Sequence, residues 1–173
     1  MMNSKIALFV IGAVTACVLP AILLGFAAGI GILPVQADVA PSSLETGLLR
    51  SALHSSVARH APRGGKPQTS SETDSTQGAA IYRQLCSRCH GLTEQSDNLY
   101  GKSFYPPAPH LPLSGTTFTE GEVFWIVKHG IRNTAMPAWG NLMSDDDIWK
   151  VAGVVRQFNS SREDQERRQH AQN

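Results

Sequence analysis

The chain has 173 residues and a formal net charge of +1, which bounds it to one small domain with attachments. Fifteen basic side chains stand against fourteen acidic ones with no clustered cationic face, so nucleic-acid binding is excluded. Cysteines at 17, 86 and 89 are too few and too poorly spaced for a disulfide framework.

The first 37 residues read as a membrane anchor or signal segment. From Ile6 to Val35 there is no charged side chain, and about 20 apolar residues suffice to cross a bilayer as a helix. The run exceeds the usual signal-peptide core of about 7–15 residues. Lys5 on one side, with Asp38 and Glu45 on the other, favours a cytoplasmic N-terminus. Two other readings stay open. Val35-Gln36-Ala37 offers small residues for cleavage before Asp38, and Val14-Thr15-Ala16-Cys17 loosely matches a lipoprotein processing box. Each of these puts the remainder outside the cytoplasm.

Residues 38–60 are expected to hold a juxtamembrane amphipathic helix, from about Leu44 to Arg59 and capped by Ser43. Leu44, Leu48, Leu49, Ala52, Leu53 and Val57 recur on one stripe. Such a stripe usually packs on a core; the other reading lays it on the bilayer or a partner. Residues 61–74 are rich in Pro, Gly, Ser, Thr and Gln and read as a flexible linker. A compact domain is expected over 75–160, followed by a polar, frayed tail over 161–173.

Within that domain a helix is predicted from Thr76 to Leu85, carrying Ala79, Ile81, Tyr82 and Leu85, with Ser75 or Thr76 as cap. Residues 91–118 read as loop, because Pro106, Pro107, Pro109 and Pro112 interrupt any helix. Thr119 and Glu122 form a capping box for a helix that stops at Gly130. Ser144 and the acids 145–147 open the last helix, whose buried stripe is Ile148, Val151, Ala152, Val155 and Phe158. The fold class is therefore all-α, with three to four short helices. That is thin on apolar core for its size, and a domain of this kind needs a staple.

The staple is written at Cys86-Ser87-Arg88-Cys89-His90, the C-x-x-C-H pattern of covalent haem c attachment. Two cysteines three residues apart on a helical turn can each reach one vinyl group of the same porphyrin, and the next residue presents its imidazole to the iron. A zinc site would require two more ligands. A redox dithiol would require an α/β setting that the pattern lacks. One haem per chain is expected, bound through Cys86 and Cys89.

Candidates for the sixth iron ligand are Met136, Met143, His110 and His129. Met136 is preferred, because it sits in a non-helical loop stiffened by Pro137, and Met pairs with His in cytochromes c. Met143 precedes the cap Ser144 and reads as a hydrophobic staple. His129 falls in a last helical turn, where it can serve the helix C-terminus.

With these motifs in view, residues 75–158 resemble a class I, monohaem His/Met cytochrome c of the bacterial membrane-anchored type. The resemblance rests on Gly78 and Tyr82, the C-x-x-C-H run, Ala108-Pro109-His110-Leu111, Met136-Pro137-Ala138-Trp139 and Asp147-Ile148-Trp149. It implies that Gly78 lets the first and last helices of the domain cross closely, against Val151 and Val154. It also implies that the Pro109 carbonyl accepts the His90 Nδ1–H bond, which orients the ring. Arg132, Tyr105 and Trp139 are candidate partners for haem propionates. In the other reading the aromatics, with Trp125, wall the haem crevice and Arg132 is solvated.

The expected function is one-electron transfer on the outer side of a membrane, between respiratory-type redox partners such as an oxidase, reductase or dehydrogenase. No catalytic residues and no small-molecule substrate are expected; the chain is a carrier, alone or as a subunit of an oxidoreductase complex. The expected location is a bacterial inner membrane with the haem domain on the periplasmic side, or the periplasm itself after cleavage following Ala37. The alternative function is a haem-based sensor or haem enzyme with an open sixth site, using His110 or His129 as a distal acid–base group.

Overall fold

The structure, a computed structural model, describes residues 4–36, 39–65 and 71–172. The possible cleavage point at Ala37 and Asp38, and residues 66–70 of the expected linker, lie outside the described residues. All regular structure among the described residues is helical. The chain divides into two compact units, Met1–Val39 and Ala40–Asn173.

The first unit holds one long helix, α1 (Ser4–Gly29). Its segment Ile6–Gly29 has 24 residues and a mean hydropathy of 2.6, long and apolar enough to cross a membrane. Pro20 lies inside it. The helix gives way at Gly31, with φ of 76°, and Pro34 follows.

The second unit begins with α2 (Ser43–His60), which is capped by Ser42 rather than Ser43: the Ser42 hydroxyl accepts the Glu45 amide proton at 3.2 Å. Only the C-terminal half of α2 packs. Val57 is fully buried, whereas Leu44, Leu48 and Leu49 of the expected stripe are exposed. His54 stacks on Phe118 at 4.9 Å and His60 on Trp125 at 6.1 Å, so α2 is part of the same unit as the helices that follow. Replacing Val57 with alanine is expected to destabilise this unit by about 2 kcal/mol, from the lost methyl groups and the cavity they leave. Urea unfolding of the haem-loaded protein reads that loss; an unchanged midpoint would mean that α2 contributes nothing to the domain.

The stretch expected as linker is shorter than its composition indicated. The carbonyls of Pro62 and Gly64 lie against Gly121, at the start of a later helix. Helix α3 (Glu72–Ile81) opens at Ser71, not at Ser75 or Thr76. Ser71 and Asp74 form a reciprocal capping box, with the Ser71 hydroxyl accepting the Asp74 amide at 3.1 Å and the Asp74 carboxylate accepting the Ser71 amide at 3.2 Å. The S-x-x-D signal lies in a polar stretch, and composition alone hides it.

After α3 the chain widens into a π-helical turn, Tyr82–Cys86, and tightens again into α4 (Ser87–His90). Two four-residue helices, α5 (Leu99–Lys102) and α6 (Leu111–Ser114), interrupt the segment expected as loop. Pro112 is accommodated in the first turn of α6, where its missing N–H costs nothing. Helix α7 (Glu120–His129) has the expected Thr119–Glu122 capping box and stops at Gly130. A 3₁₀ turn, Trp139–Asn141, precedes α8 (Asp145–Gln172).

Helix α8 is not short: its 28 residues run past the expected end near Asn159. Residues 160–172 contain no Pro or Gly to break it.

The core forms where α3 and α7 pack on α8. Ile148, Val151 and Ala152 are at most 1% exposed, and Phe124 stacks on Trp149 at 4.2 Å. Gly78 is the contact point of α3 with α8. A Cβ there would stand 2.5 Å from the Lys150 carbonyl oxygen and 3.0 Å from Val154 Cγ2. The crossing expected at Gly78 is therefore present, but it faces the Lys150 backbone and Val154. Val151 also lines the cleft described next.

Candidate functional site

The second unit contains a deep, almost wholly apolar cleft with about 1140 Å³ of empty space, its open mouth included. Cys86, Cys89, His90, Pro109, Met136 and Trp139 all line it. They come from four stretches of chain: the π turn and α4, the loop before α6, the loop after α7, and the 3₁₀ turn. Arg132 and Tyr105 do not line the cleft and are exposed. Trp125 is not on its wall either; it packs between His60 of α2 and His129, at 6.1 and 4.9 Å.

The motif turn is held from several sides. His90 Nδ1 lies 2.9 Å from the Pro109 carbonyl oxygen, so Nδ1–H donates there and Nε2 is left with its lone pair. Burial lowers the His90 pKa below its usual value, although the Pro109 bond opposes this. A neutral imidazole is what a metal requires of a histidine ligand. Tyr82 O–H donates to the Gly91 carbonyl at 2.8 Å. Burial, with the nearby Cys86 charge as a second cause, raises the phenol well above its usual range and keeps that proton in place.

The two thiols are free and half-buried. Burial, reinforced by Cys89, pushes the Cys86 thiol up to about 12. Among the described residues no group of three or more His, Cys, Asp or Glu side chains could hold a bare metal ion.

Met136, which lines the same cleft, is fixed by its backbone. Thr134 Oγ1 accepts its N–H at 3.1 Å, its carbonyl accepts the Ile131 amide at 3.1 Å, and Pro137 follows. The turn before it is made by Asn133, with φ of 60°. Met143 does not line the cleft and packs against the core. His110 is engaged at both ring nitrogens: Nε2–H donates to the Ser96 carbonyl at 2.8 Å, and Nδ1 accepts the Leu113 amide at 3.2 Å. His129 is an exposed residue at the end of α7, away from the cleft.

Two asparagines escape the sequence reading. Asn159 is 9% exposed and clasps Thr116, a cleft residue, through both of its polar atoms at 2.8 and 2.6 Å. Asn98 is 2% exposed, and its Nδ2 donates to the carbonyls of Cys89 at 3.2 Å and Ala108 at 3.4 Å. Neither carries a periodic or motif signal, since Asn in a polar stretch reads as a turn residue.

The residues present fit a haem: apolar walls, two free thiols three residues apart, and nitrogen and sulfur donors lining the same cleft. This fold and site define a small c-type cytochrome domain.

Residues 73–153 match the family model described as cytochrome c oxidase, cbb3-type, subunit III, and this segment is a class I-like cytochrome c domain. Among solved structures, a chain of the Kuenenia stuttgartiensis reducing HAO-like protein complex Kustc0457/Kustc0458 is 21% identical, with a TM-score of 0.45. The alignment covers 54% of this chain and spans about half, 47%, of that one. No curated protein matches the chain. A cytochrome c domain implies haem-based electron transfer.

Proposed function

We propose that the chain is a membrane-tethered one-electron carrier with one haem c, bonded through thioethers to Cys86 and Cys89 and ligated by His90 and Met136. The observation that carries the reading is the cleft itself: its walls include both thiols, the imidazole and the Met136 loop. When bound, the haem supplies a reversible one-electron change at iron.

The chain's residues do the rest. The Pro109 carbonyl holds the His90 ring by Nδ1, so Nε2, in a fixed tautomer, would be the nitrogen that holds the iron. Met136, presented by a loop bonded through its own backbone, would be the second residue to hold the haem iron, and a methionine ligand would favour a relatively high potential. Apolar walls exclude water and favour the less charged, reduced iron. Trp139 walls the cleft, and Arg132 and Tyr105, exposed beyond its lining, remain the proposed polar partners for propionates at the cleft mouth. Redox proteins are the partners, docking beside the half-exposed Leu85 where the motif turn reaches the surface. The family description supports a membrane oxidase among them, with a reductase or dehydrogenase on the other side.

Helix α1 supports tethering, with the domain on the periplasmic side of a bacterial inner membrane. Release into the periplasm by cleavage after Ala37 is the other form. The sensor or enzyme reading needs a free distal acid–base group. His110 has both nitrogens in bonds and His129 lies off the cleft, so neither supports it.

The test is the optical spectrum of the exported protein, oxidised and reduced, with and without carbon monoxide. A haem c spectrum, a sulfur-to-iron charge-transfer band in the ferric form and no response to carbon monoxide are expected. Ready carbon monoxide binding without the sulfur band would replace the carrier by a sensor or enzyme, and absence of haem would overturn the proposal.

A further inference from the structure

We infer that Asn98 is a positioning residue for the axial histidine, acting through the two peptide groups that carry the His90–Pro109 bond. The inference rests on the haem reading above.

The carbonyl of Cys89 belongs to the peptide that joins Cys89 to His90. The carbonyl of Ala108 belongs to the peptide that joins Ala108 to Pro109. Asn98 Nδ2 donates to both, at 3.2 and 3.4 Å, and its two protons match the two acceptors. One amide group thus grips the peptide leading into the ring donor and the peptide leading into its acceptor, which meet at 2.9 Å.

The backbone next to Asn98 completes the clamp. Helix α5 lies between the same two segments. A Cβ on Gly101 would collide with the Cys89 carbonyl and stand 3.1 Å from Ala108 Cβ. The Gly101 carbonyl accepts the Ala108 amide at 2.9 Å. Asn98 and Gly101 together set a fixed gap between the motif turn and the Pro109 loop. Burial of the Asn98 side chain to 2% keeps water from competing for its bonds.

The chemical consequence follows from the ring. A firm Nδ1–H···O=C bond makes the imidazole a stronger donor to its metal and favours the oxidised state; a looser bond favours the reduced state. Loosening the clamp is therefore expected to raise the reduction potential.

The experiment uses the full-length, haem-loaded chain and its Asn98→Ala and Asn98→Ser variants. In N98A the equilibrium constant for reduction is expected to rise several-fold, where tenfold corresponds to about 59 mV for one electron. N98S retains one short donor and is expected to recover part of the shift. Equal potentials in all three proteins, with only thermal stability lowered, would make Asn98 a plain structural residue and overturn the inference.

A second measurement needs no variant. Hydrogen exchange by NMR on the wild-type holoprotein compares the Asn98 side-chain amide protons with the His90 ring proton. Protection within roughly tenfold of each other is expected for one cooperative opening. Asn98 protons exchanging more than about a hundredfold faster would show the clamp opening without the histidine, and would overturn the inference. A wild-type chain that carries no haem would overturn the site reading and the clamp with it. A loaded wild type with unmoved variant potentials would overturn the clamp alone.

Discussion

Replacing Cys86 and Cys89 together by alanine is expected to abolish haem attachment and to unfold the domain from α3 to the buried part of α8. The cleft is bounded by residues of the core helices themselves: Val123 and Val127 from α7, and Val151 and Val155 from α8, all line it. Each counts as buried, yet each faces the empty space. Without a flat apolar group between these walls, water enters or the helices must collapse onto one another. Exposed apolar surface costs about 25 cal/mol per Å², and several such side chains exceed what a small domain has to spare. The helices that remain are too short to stand alone: α4, α5 and α6 have four residues each, and isolated helices below about 12–15 residues are marginal. The expected results are no haem on a denaturing gel, a weakened far-UV helical signal beyond that of α1, and rapid proteolysis. Cys86→Ala alone leaves the second thioether and His90, and is expected to give a loaded but less stable protein. A double variant that kept a cooperative unfolding transition would mean that α3, α7 and α8 form a complete core unaided.

Much of this architecture was legible because it is written in short-range rules. The Thr119–Glu122 box, the stop at Gly130 and the acidic start of α8 are local chemistry, and each sits where its residues indicate. That Cys86, Cys89, His90 and Met136 belong together was legible for the same reason, since C-x-x-C-H and the Met136-Pro137 loop are contiguous signals, and all four line the cleft. What escaped depends on residues far apart in sequence. The apolar stripe of α2 predicts burial of Leu44, Leu48 and Leu49, but the partner surface under α2 reaches only as far as Val57 and Leu53, so the first two turns stay exposed. The crossing at Gly78 against Val154 was foreseen, yet its nearest contact is the Lys150 carbonyl, and no side-chain pattern reports a backbone atom. The π turn at Tyr82–Cys86 has no sequence marker, although such turns concentrate at functional sites.

Met136→Ala is expected to open the iron without disturbing the loop that held the sulfur. The loop is tied through groups that alanine keeps: the Met136 amide to Thr134 Oγ1, the Met136 carbonyl to the Ile131 amide, and Thr134 Oγ1 to the Ile131 carbonyl at 2.8 Å. The change is therefore local to the axial position, and the cost in stability is the loss of one half-buried side chain, about 1–3 kcal/mol. Chemically the effect is large. Removing the thioether withdraws the ligand that favours reduced iron, so the potential is expected to fall by roughly 0.1–0.3 V, a fraction of the ~0.8 V that axial ligands span. The sulfur charge-transfer band should vanish and carbon monoxide should bind the reduced protein. Met136→His is expected to lower the potential too while keeping carbon monoxide out, because nitrogen replaces sulfur without vacating the position. Met143→Leu supplies the control: Met143 packs on the core outside the cleft, so spectrum and potential should stay as they are. The opposite pattern, with the alanine at 136 silent and the leucine at 143 opening the iron, would require the start of α8 to leave the core. That would break the Ser144 cap on Asp147 at 3.2 Å and the Phe124–Trp149 stack, which a loss of the helix's cooperative unfolding would reveal.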